Sequence, residues 1–480
     1  MTEEILMNVT RREARVALLN EGILQEIFIE RNLRQGIVGN IYKGKVGRLL
    51  PGIQAAFIDI GLDRSAFLHV SDIQSSNAKS DIQQLLHPGQ DILVQVYKDP
   101  LGTKGARLTT QFTIPARYLV FTPDQNQVSV SQRIVDETER QRLSGMVAAD
   151  QLGGYIFRTV ASHATQADID ADKEFLRHVW KEISIRAKQA KSGELVYEEL
   201  PMLLRTLRDM TSHKTTKIRV DDSDAFIKLK DFAARYMPWL VSHIEYYSDD
   251  RPIFDVCGVE EELQQLLQRK VSLKSGGYLV FDQTEAMTTI DVNSGSYVGK
   301  GNLEQTTYKI NLEAVDVIVR QVRLRNLGGI IIIDFIDMAG LEHKTQLLES
   351  LKAALAKDSA RTEISELSSL GLVQMTRKRS RESLEHVLCV ACPLCQGRSS
   401  IKSLETVSYD IFRELKRTAG NYDWPGFLVL ASREVINYLL DKESIMLAEL
   451  EVHLGKLIEC RVEPSYTQEQ FDILPKGSDL

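Results

Sequence analysis

The run Gly329-Ile-Ile-Ile-Ile-Asp334-Phe-Ile-Asp337 limits what this chain can fold into more than any other stretch. A short, unbroken apolar segment reads as a strand buried on both faces of a sheet, and its first carboxylate arrives where the run ends. Upstream, Tyr278-Leu-Val-Phe-Asp-Gln-Thr-Glu285-Ala-Met-Thr-Thr-Ile-Asp291-Val-Asn293 alternates apolar and polar residues around a polar turn, the pattern of two short strands. Asp291 and Asn293 then share one face. Between the two regions, Ile310, Ala314, Val317, Ile318 and Val322 recur on one helical stripe, and Asn326 to Gly329 supplies a stop. Strand, crossover helix and buried strand make a βαβ unit, whose strands run parallel in one sheet with functional groups at their carboxyl ends. That places Asp291, Asn293 and Asp334 within reach of one another.

Two carboxylates and an amide are all oxygen donors, a set that suits a hard cation such as magnesium. Such an ion makes a nucleophile of a bound water and neutralises charge on a phosphate under attack. Taken singly, Asp291 or Asp334 is more simply a strand-end residue facing solvent; together they favour a metal site. Asp337, three positions past Asp334, leaves the strand face and is better suited to capping the turn.

At 480 residues and 43 % hydrophobic content, the chain has room for roughly three or more domains of ~150 residues each. Its formal charge of -7 does not announce a nucleic-acid binder, so any such role must rest on local basic patches. No run approaches the ~20 apolar residues of a membrane span. The start, Met1-Thr-Glu-Glu-Ile-Leu-Met-Asn, lacks a basic segment backed by an apolar core, so a cytoplasmic enzyme is expected. There is no glycine-rich loop ending in Gly-Lys-Ser/Thr and no His-Glu-x-x-His, which argues against nucleotide hydrolysis and zinc-hydrolase chemistry. Cys389, Cys392 and Cys395 sit three apart, a metal-like spacing, whereas Cys257 and Cys460 are isolated thiols. Cys392-Pro-Leu-Cys395-Gln-Gly397 is a tight knuckle of the kind that holds zinc, and structural zinc wants four ligands. Cys389, with His386, completes the set within one chain, or two chains each donate Cys392 and Cys395.

Along the chain, Ile5–Val9, Ala14–Leu19 and Ile23–Ile29 read as a strand meander. From Gly36 to about Gln111, short glycine-bounded strands alternate aromatic residues with cations, which suggests a small barrel of the oligonucleotide-binding type. Phe57 and Phe67 fit either its core, the commoner place for a single aromatic in a β-rich segment, or a base-stacking surface, towards which Lys43, Lys45, Arg64 and Lys104 shift the balance. Ser75 to Ser80 is a polar loop before the last barrel strands. Residues 112 to 200 form a second α/β piece, with strands at Tyr118–Phe121 and Gly154–Thr159, helices from Asp136 and from about Asp168 to Lys191, and a hinge at Ser192-Gly193. A strand at Lys217–Val220 and helices at Ala225–Tyr236 and Val259–Arg269 lead back to the central stretch. After the cysteines come a helix from about Ile401 to Thr418 and strands near Phe427–Leu430 and Leu450–His453.

Several ordered motifs carry a family resemblance: Gly39-Asn-Ile-Tyr-Lys-Gly-Lys45, Ala55-Ala-Phe-Ile-Asp-Ile-Gly61, Lys98-Asp-Pro-Leu-Gly-Thr-Lys-Gly-Ala106, Glu285–Asn293, Arg325–Met338 and Cys392-Pro-Leu-Cys395. The chain resembles the ribonuclease E/G family of bacterial endoribonucleases over essentially its whole length, and within it the shorter branch that lacks a long disordered extension. The resemblance implies an α/β multidomain protein: a ribonuclease H-like fold from 1–35 and 201–270, an inserted OB-type RNA-binding barrel at 36–111, a 5′-sensor domain at 112–200, a deoxyribonuclease-like catalytic domain at 271–388, a zinc-link at 389–397 and a small C-terminal α/β domain at 398–480. It implies that Asp291 and Asp334 bind Mg2+ with Asn293 as their hydrogen-bonding companion, and that Phe57, Phe67 and Lys104 contact RNA near the cut. Arg158, Thr159, the backbone of Val120, and Arg361 would hold a 5′-terminal monophosphate. Read without the family, Arg158 is a solvated strand-end charge. The resemblance favours a Zn2+ shared between two protomers through Cys392 and Cys395, giving a homodimer or higher homo-oligomer. The implied activity is hydrolysis of single-stranded RNA, including ribosomal RNA precursor and mRNA. A non-catalytic RNA-binding scaffold and metal-dependent DNA cleavage are the rival readings.

Overall fold

The computed structural model describes residues 2–31, 36–74, 81–100, 104–123, 125–148, 152–162, 164–212, 214–295, 303–368, 370–379 and 381–476. The polar loop at Ser75 to Ser80 lies outside them. The chain divides into two compact units, Met1–Val387 and Leu388–Leu480.

In the larger unit, the sheet that carries the central aspartates has six strands, in the order Lys270–Ser272, Tyr278–Gln283, Met287–Asn293, Gly329–Asp334, Leu372–Arg377, Thr362–Leu367. Met287–Asn293 and Gly329–Asp334 are parallel neighbours, joined by the helix Leu303–Leu324. That helix buries Ile310, Ala314, Val315, Ile318, Val319 and Val322, and the helix Leu341–Leu355 buries Leu347, Leu351 and Leu355 at every fourth position. Both stripes pack on Leu279, Phe281, Ile290, Val292, Ile331, Ile333, Val373 and Met375, which alternate onto one side of the sheet.

The isoleucine run therefore differs from its expected form. Ile331 and Ile333 are buried, but Ile330 is 47 % exposed and Ile332 half-buried, because both helices stack on the same side. Apolar side chains on the second face reflect β-branched strand preference there, and among the described residues that face carries no helix. Gly329 begins the strand with φ +91, a left-handed conformation that a side chain would strain, and a Cβ there would lie 3.0 Å from the Arg379 guanidinium. Past the strand end, Asn311 of the crossover helix donates to the Ile336 carbonyl at 2.8 Å and accepts from the Ile336 amide at 3.1 Å. This pins the turn that follows Asp334.

The amino-terminal strands Glu3–Val9, Glu13–Asn20 and Ile23–Arg31 form an antiparallel meander, and Thr215–Val220 and Ile244–Tyr246 extend it in parallel. Residues from both ends of this separation thus share one sheet and one core, with Ile5, Met7 and Val16 against Leu207, Ile218 and Leu229.

The barrel contains Ile41–Leu50, Ala55–Asp59, Ala66–His69, Arg107–Thr109 and Asp91–Lys98 in that spatial order, and closes where Ile41–Lys45 pairs with Asp91–Gln95. Val46, Ala56, Ile58, Leu68, Val94, Val96 and Leu108 fill it. The segment Leu195–Tyr197 adds to its outside by pairing with Ile41 and Tyr42. Ser192-Gly193 is accordingly a tether and not a hinge: Ser192 Oγ donates to Asp91 at 2.6 Å and the Gly193 amide to the Lys43 carbonyl at 2.6 Å. The piece between barrel and tether has a four-stranded sheet, Val128–Val130, Gly154–Phe157, Leu119–Thr122 and Ile114–Pro115, against the helix Gln166–Gln189. Thr165 and Asp168 close that helix with a reciprocal capping box.

The smaller unit is a three-stranded sheet, Leu457–Val462, Gly426–Ala431 and Phe471–Pro475, packed with helices Leu404–Asn421, Arg433–Asp441 and Ser444–Leu454. Leu450–His453, expected as a strand, lies inside the last helix, and the strand is Leu457–Val462. Four alternating residues carry too little pattern to separate the two; burial of Leu447 and Leu450 three apart, and Gly455 at φ +66 as the left-handed cap, show which won.

Candidate active site

Asp291 and Asp334 are direct register partners at the carboxyl ends of adjacent parallel strands. Both are exposed on the sheet face opposite the helices. Alternation puts Asn293 on the same side, where its Nδ2 donates to Asp291 Oδ2 at 2.8 Å. Partial burial, then the charges of Asp291 and Asp337, push the Asp334 carboxyl above its usual range. Asp337 thus adds negative potential although it has left the strand; it stands over Gly371, in the turn before Leu372–Arg377. Among the described residues no Lys or Arg is paired with Asp291, Asp334 or Asp337. Carboxylates crowded together on an exposed surface without a cationic partner suit a divalent ion, and the donors present are of the oxygen type that magnesium takes. No three His, Cys, Asp or Glu among the described residues converge, so such an ion would have two carboxylates here and complete its shell from water and substrate.

On the barrel, Phe57 and Phe67 face each other across neighbouring strands with ring centroids 6.3 Å apart and planes at 72°. They sit outside the barrel core, since their sequence neighbours Ala56, Ile58, Ala66 and Leu68 fill it. Lys104 is exposed, two residues before Ala106, whose carbonyl accepts from the Phe67 amide at 2.7 Å. The close approach needs glycine next to Lys104: a Cβ at Gly105 would lie 2.1 Å from the Ser65 carbonyl. Phe57 and Phe67 are thus brought together on one surface, and the strand segment that follows Lys104 lies beside Phe67.

The residues expected to hold a terminal phosphate are brought together less completely. Arg158 follows the strand Gly154–Phe157, and Thr159 Oγ1 is 3.0 Å from Ser131 Oγ. Val120 lies in the adjacent strand, opposite Ile156. The Arg158 Nη1 is engaged by the Ala116 carbonyl at 2.6 Å and by Asp209 at 2.7 Å. Asp209 also receives the buried Arg208, which bonds Glu199 at 2.6 Å. Arg361 is paired with Glu363 at 2.7 Å; its segment meets this region where Arg133 donates to the Ser359 carbonyl at 2.5 Å.

Two partners here carry no signal in the sequence. Asp209, the counter-charge of Arg158, comes from the helix Met202–Met210, which packs on the amino-terminal sheet. Asp172, on the long helix, accepts from the amides of Tyr118 and Leu119 at 2.6 and 3.0 Å and so fixes the strand that presents Val120. Burial pushes its carboxyl up to about 6, against the pull of those amides and of Arg117 and Arg158.

In the smaller unit, Cys392 and Cys389 are exposed and Cys395 half-buried. The Cys392 carbonyl accepts from the Gln396 amide at 2.8 Å, and Gln396 and Gly397 take φ values of 52 and 86. The backbone amides of Cys395 and Leu394, then the Cys395 side chain, hold the Cys392 thiol below its usual range. Amides aimed at a sulfur are what a thiolate ligand requires.

Comparison with known proteins accounts for this combination. The model of the Ribonuclease E/G family matches residues 113–380, and that of the RNase E/G thioredoxin-like domain matches 391–476. The chain is 52 % identical to Ribonuclease G of Salmonella typhimurium, across 99 % of this chain and 100 % of that protein. It is 51 % identical to Ribonuclease G of Escherichia coli K12 over the same shares. Identity to Ribonuclease E of Haemophilus influenzae is 32 %, over 94 % of this chain and 49 % of that one. With a carboxylate pair at parallel strand ends, a closed barrel and full-length identity of this order, the chain belongs to the ribonuclease E/G family.

Proposed function

We propose that this protein is a magnesium-dependent endoribonuclease that cuts single-stranded RNA by hydrolysis, leaving a 5′-phosphate and a 3′-hydroxyl. The observation that carries the reading is the direct register pairing of Asp291 with Asp334 in a chain of this family. Asp291 and Asp334 would hold the ion and Asn293 would orient Asp291; the ion supplies an activated water and charge neutralisation at the phosphate. Phe57, exposed, and Phe67, half-buried against it, offer aromatic surface for unpaired bases, and Lys104 a charge for the backbone. Stimulation by a 5′-monophosphate is assigned to Arg158, Thr159, Val120 and Arg361, with Arg158 gripping through the donors that Asp209 and Ala116 leave open. We further assign the barrel to the OB type, residues 112–200 to 5′-end sensing, the shared sheet of 1–35 and 201–270 to a ribonuclease H-like scaffold, and 271–388 to a deoxyribonuclease-like catalytic domain. Ribosomal RNA maturation and mRNA decay in the cytoplasm are the proposed setting. We assign a zinc shared by two protomers to the Cys392 and Cys395 knuckle, which is supported by the backbone amides that hold the Cys392 thiol below its usual range.

Incubation with magnesium and a 5′-monophosphorylated oligoribonucleotide, its triphosphorylated form and the DNA equivalent tests the whole reading. Cleavage is expected fastest on the first and absent on DNA, and Asp291→Asn or Asp334→Asn should abolish it while RNA affinity persists. RNA binding without cleavage by the unaltered protein would make it a scaffold, and equal cleavage of DNA a general nuclease.

A further inference from the structure

The outer surface of the barrel carries a band that does not stop at Phe57 and Phe67. Register pairing continues from Phe57 to Phe67, from Phe67 to Arg107, and from Arg107 to Lys98. Paired residues project to the same side of a sheet, so these four make one row across four strands. At its far end the pairing slips: Val96 opposes Leu108 and Lys98 opposes Arg107, leaving Tyr97 as the extra residue of a β-bulge. A regular strand would send Tyr97 and Lys98 to opposite faces, whereas here both are exposed, Tyr97 by 45 %. The bulge leaves the Tyr97 ring beside the sheet that carries Asp291 and Asp334. Lys378, just past the strand Leu372–Arg377, brings its Nζ to 5.9 Å from the ring centre, and Lys98 Nζ stands at the same distance. Both are at the ~6 Å limit of a cation–π contact, which leaves room on the ring. Asp99, the residue after Lys98, accepts from the amides of Ile37 and Val38 at 2.7 and 3.2 Å. Lys378 in turn donates its amide to the carbonyl of Arg361, at 2.9 Å, so the band ends beside the segment assigned to the 5′ end.

An exposed aromatic ring between two lysines drawn from two sheets has the composition of a single-strand platform, with a π-face for any base and charges for the flanking phosphates. We propose that Tyr97, with Lys98 and Lys378, is a further RNA-binding site, stacking a base of the single strand where it passes between the barrel and the catalytic sheet. The inference rests on the RNA-cutting reading above. Its function is grip along the strand, separate from the metal site and from recognition of the terminal phosphate.

The test uses the full chain and a 5′-hydroxyl single-stranded oligoribonucleotide, which removes the terminal phosphate from the comparison. Binding is measured without magnesium and cleavage with it. Tyr97→Ala should weaken binding and raise KM by about 5- to 150-fold, the range for losing one base stack, with kcat little changed. Tyr97→Phe should stay within about twofold of the unaltered protein, since the ring remains. Lys98→Gln and Lys378→Gln should each flatten the dependence of log Kd on log salt by about 0.7, one phosphate contact apiece on a single strand. Unchanged binding in Tyr97→Ala, or a loss in Tyr97→Phe as large as in Tyr97→Ala, would overturn the stacking site while leaving the nuclease reading intact. An unaltered protein that fails to bind the oligonucleotide would overturn both.

Discussion

Replacing Asn293 by alanine tests the metal site at its most graded point. The substitution deletes one hydrogen bond, Nδ2 to Asp291 Oδ2 at 2.8 Å, and leaves both carboxylates in place. A hydrogen bond to a charged group contributes ~1.5 to 3 kcal/mol, and losing the group that orients a metal ligand costs ~10- to 100-fold in metal affinity, or about 1.4 to 2.7 kcal/mol. The two ranges overlap, and exposure of Asp291 on the open sheet face selects the lower end, because water replaces part of what the amide supplied. A loss of about tenfold is expected. The assay is cleavage of a monophosphorylated oligoribonucleotide against magnesium concentration. Asn293→Ala should move the half-maximal concentration up about tenfold and reach nearly the same plateau, whereas Asp291→Asn should reach none. A lowered plateau with an unmoved midpoint would mean that Asn293 touches the substrate. An unmoved curve would mean that the bond orients nothing.

Arg158→Gln should slow cleavage of monophosphorylated RNA by ~10- to 150-fold and barely alter a 5′-hydroxyl substrate, because on the proposed reading the terminal phosphate is the part of the RNA that the guanidinium would grip. Equal losses on both would assign the residue instead to the Asp209 ion pair and the fold. Native mass spectrometry with metal analysis should find one zinc per two chains, with Cys392→Ser or Cys395→Ser releasing metal and shifting the protein towards monomer, and Cys389→Ser doing much less; one zinc per chain would refute the shared site. Asp172, at about 6 when folded against ~3.9 unfolded, takes up its proton first in the folded state, so its contribution is most favourable at low pH and is lost as pH rises through that window, on the order of 3 kcal/mol in total. Thermal midpoints of the unaltered protein and Asp172→Asn, compared from about pH 4 to 7, should therefore diverge as pH rises, the unaltered protein losing ground; parallel curves would show that burial does not perturb this carboxyl.

The geometry of the centre was legible because it is local. Alternation at period two put Asp291 and Asn293 on one face, the helical stripe through Ile310, Ala314 and Ile318 announced a crossover, and a crossover makes Met287–Asn293 and Gly329–Asp334 parallel neighbours. The cysteine knuckle and the outward Phe57 and Phe67 are local in the same sense. Periodicity does not report how many layers cover a sheet, so the isoleucine run looked doubly buried when helices cover one face only. It also fails over a few residues, as at Leu450–His453.

Sequence by itself determined the βαβ unit, the carboxylates at its strand ends and the family, because each follows from spacing along a short stretch or from motifs in order. Only tertiary structure decided that the amino-terminal meander is completed by Thr215–Val220 and Ile244–Tyr246, that Ile41–Lys45 closes the barrel onto Asp91–Gln95, that Asp209 holds Arg158, and that a bulge turns Tyr97 towards Lys378. Each of these is a choice of partner between remote segments. It is made by which backbone edges and buried charges remain unsatisfied once the local elements have formed, and no pattern within one segment records that.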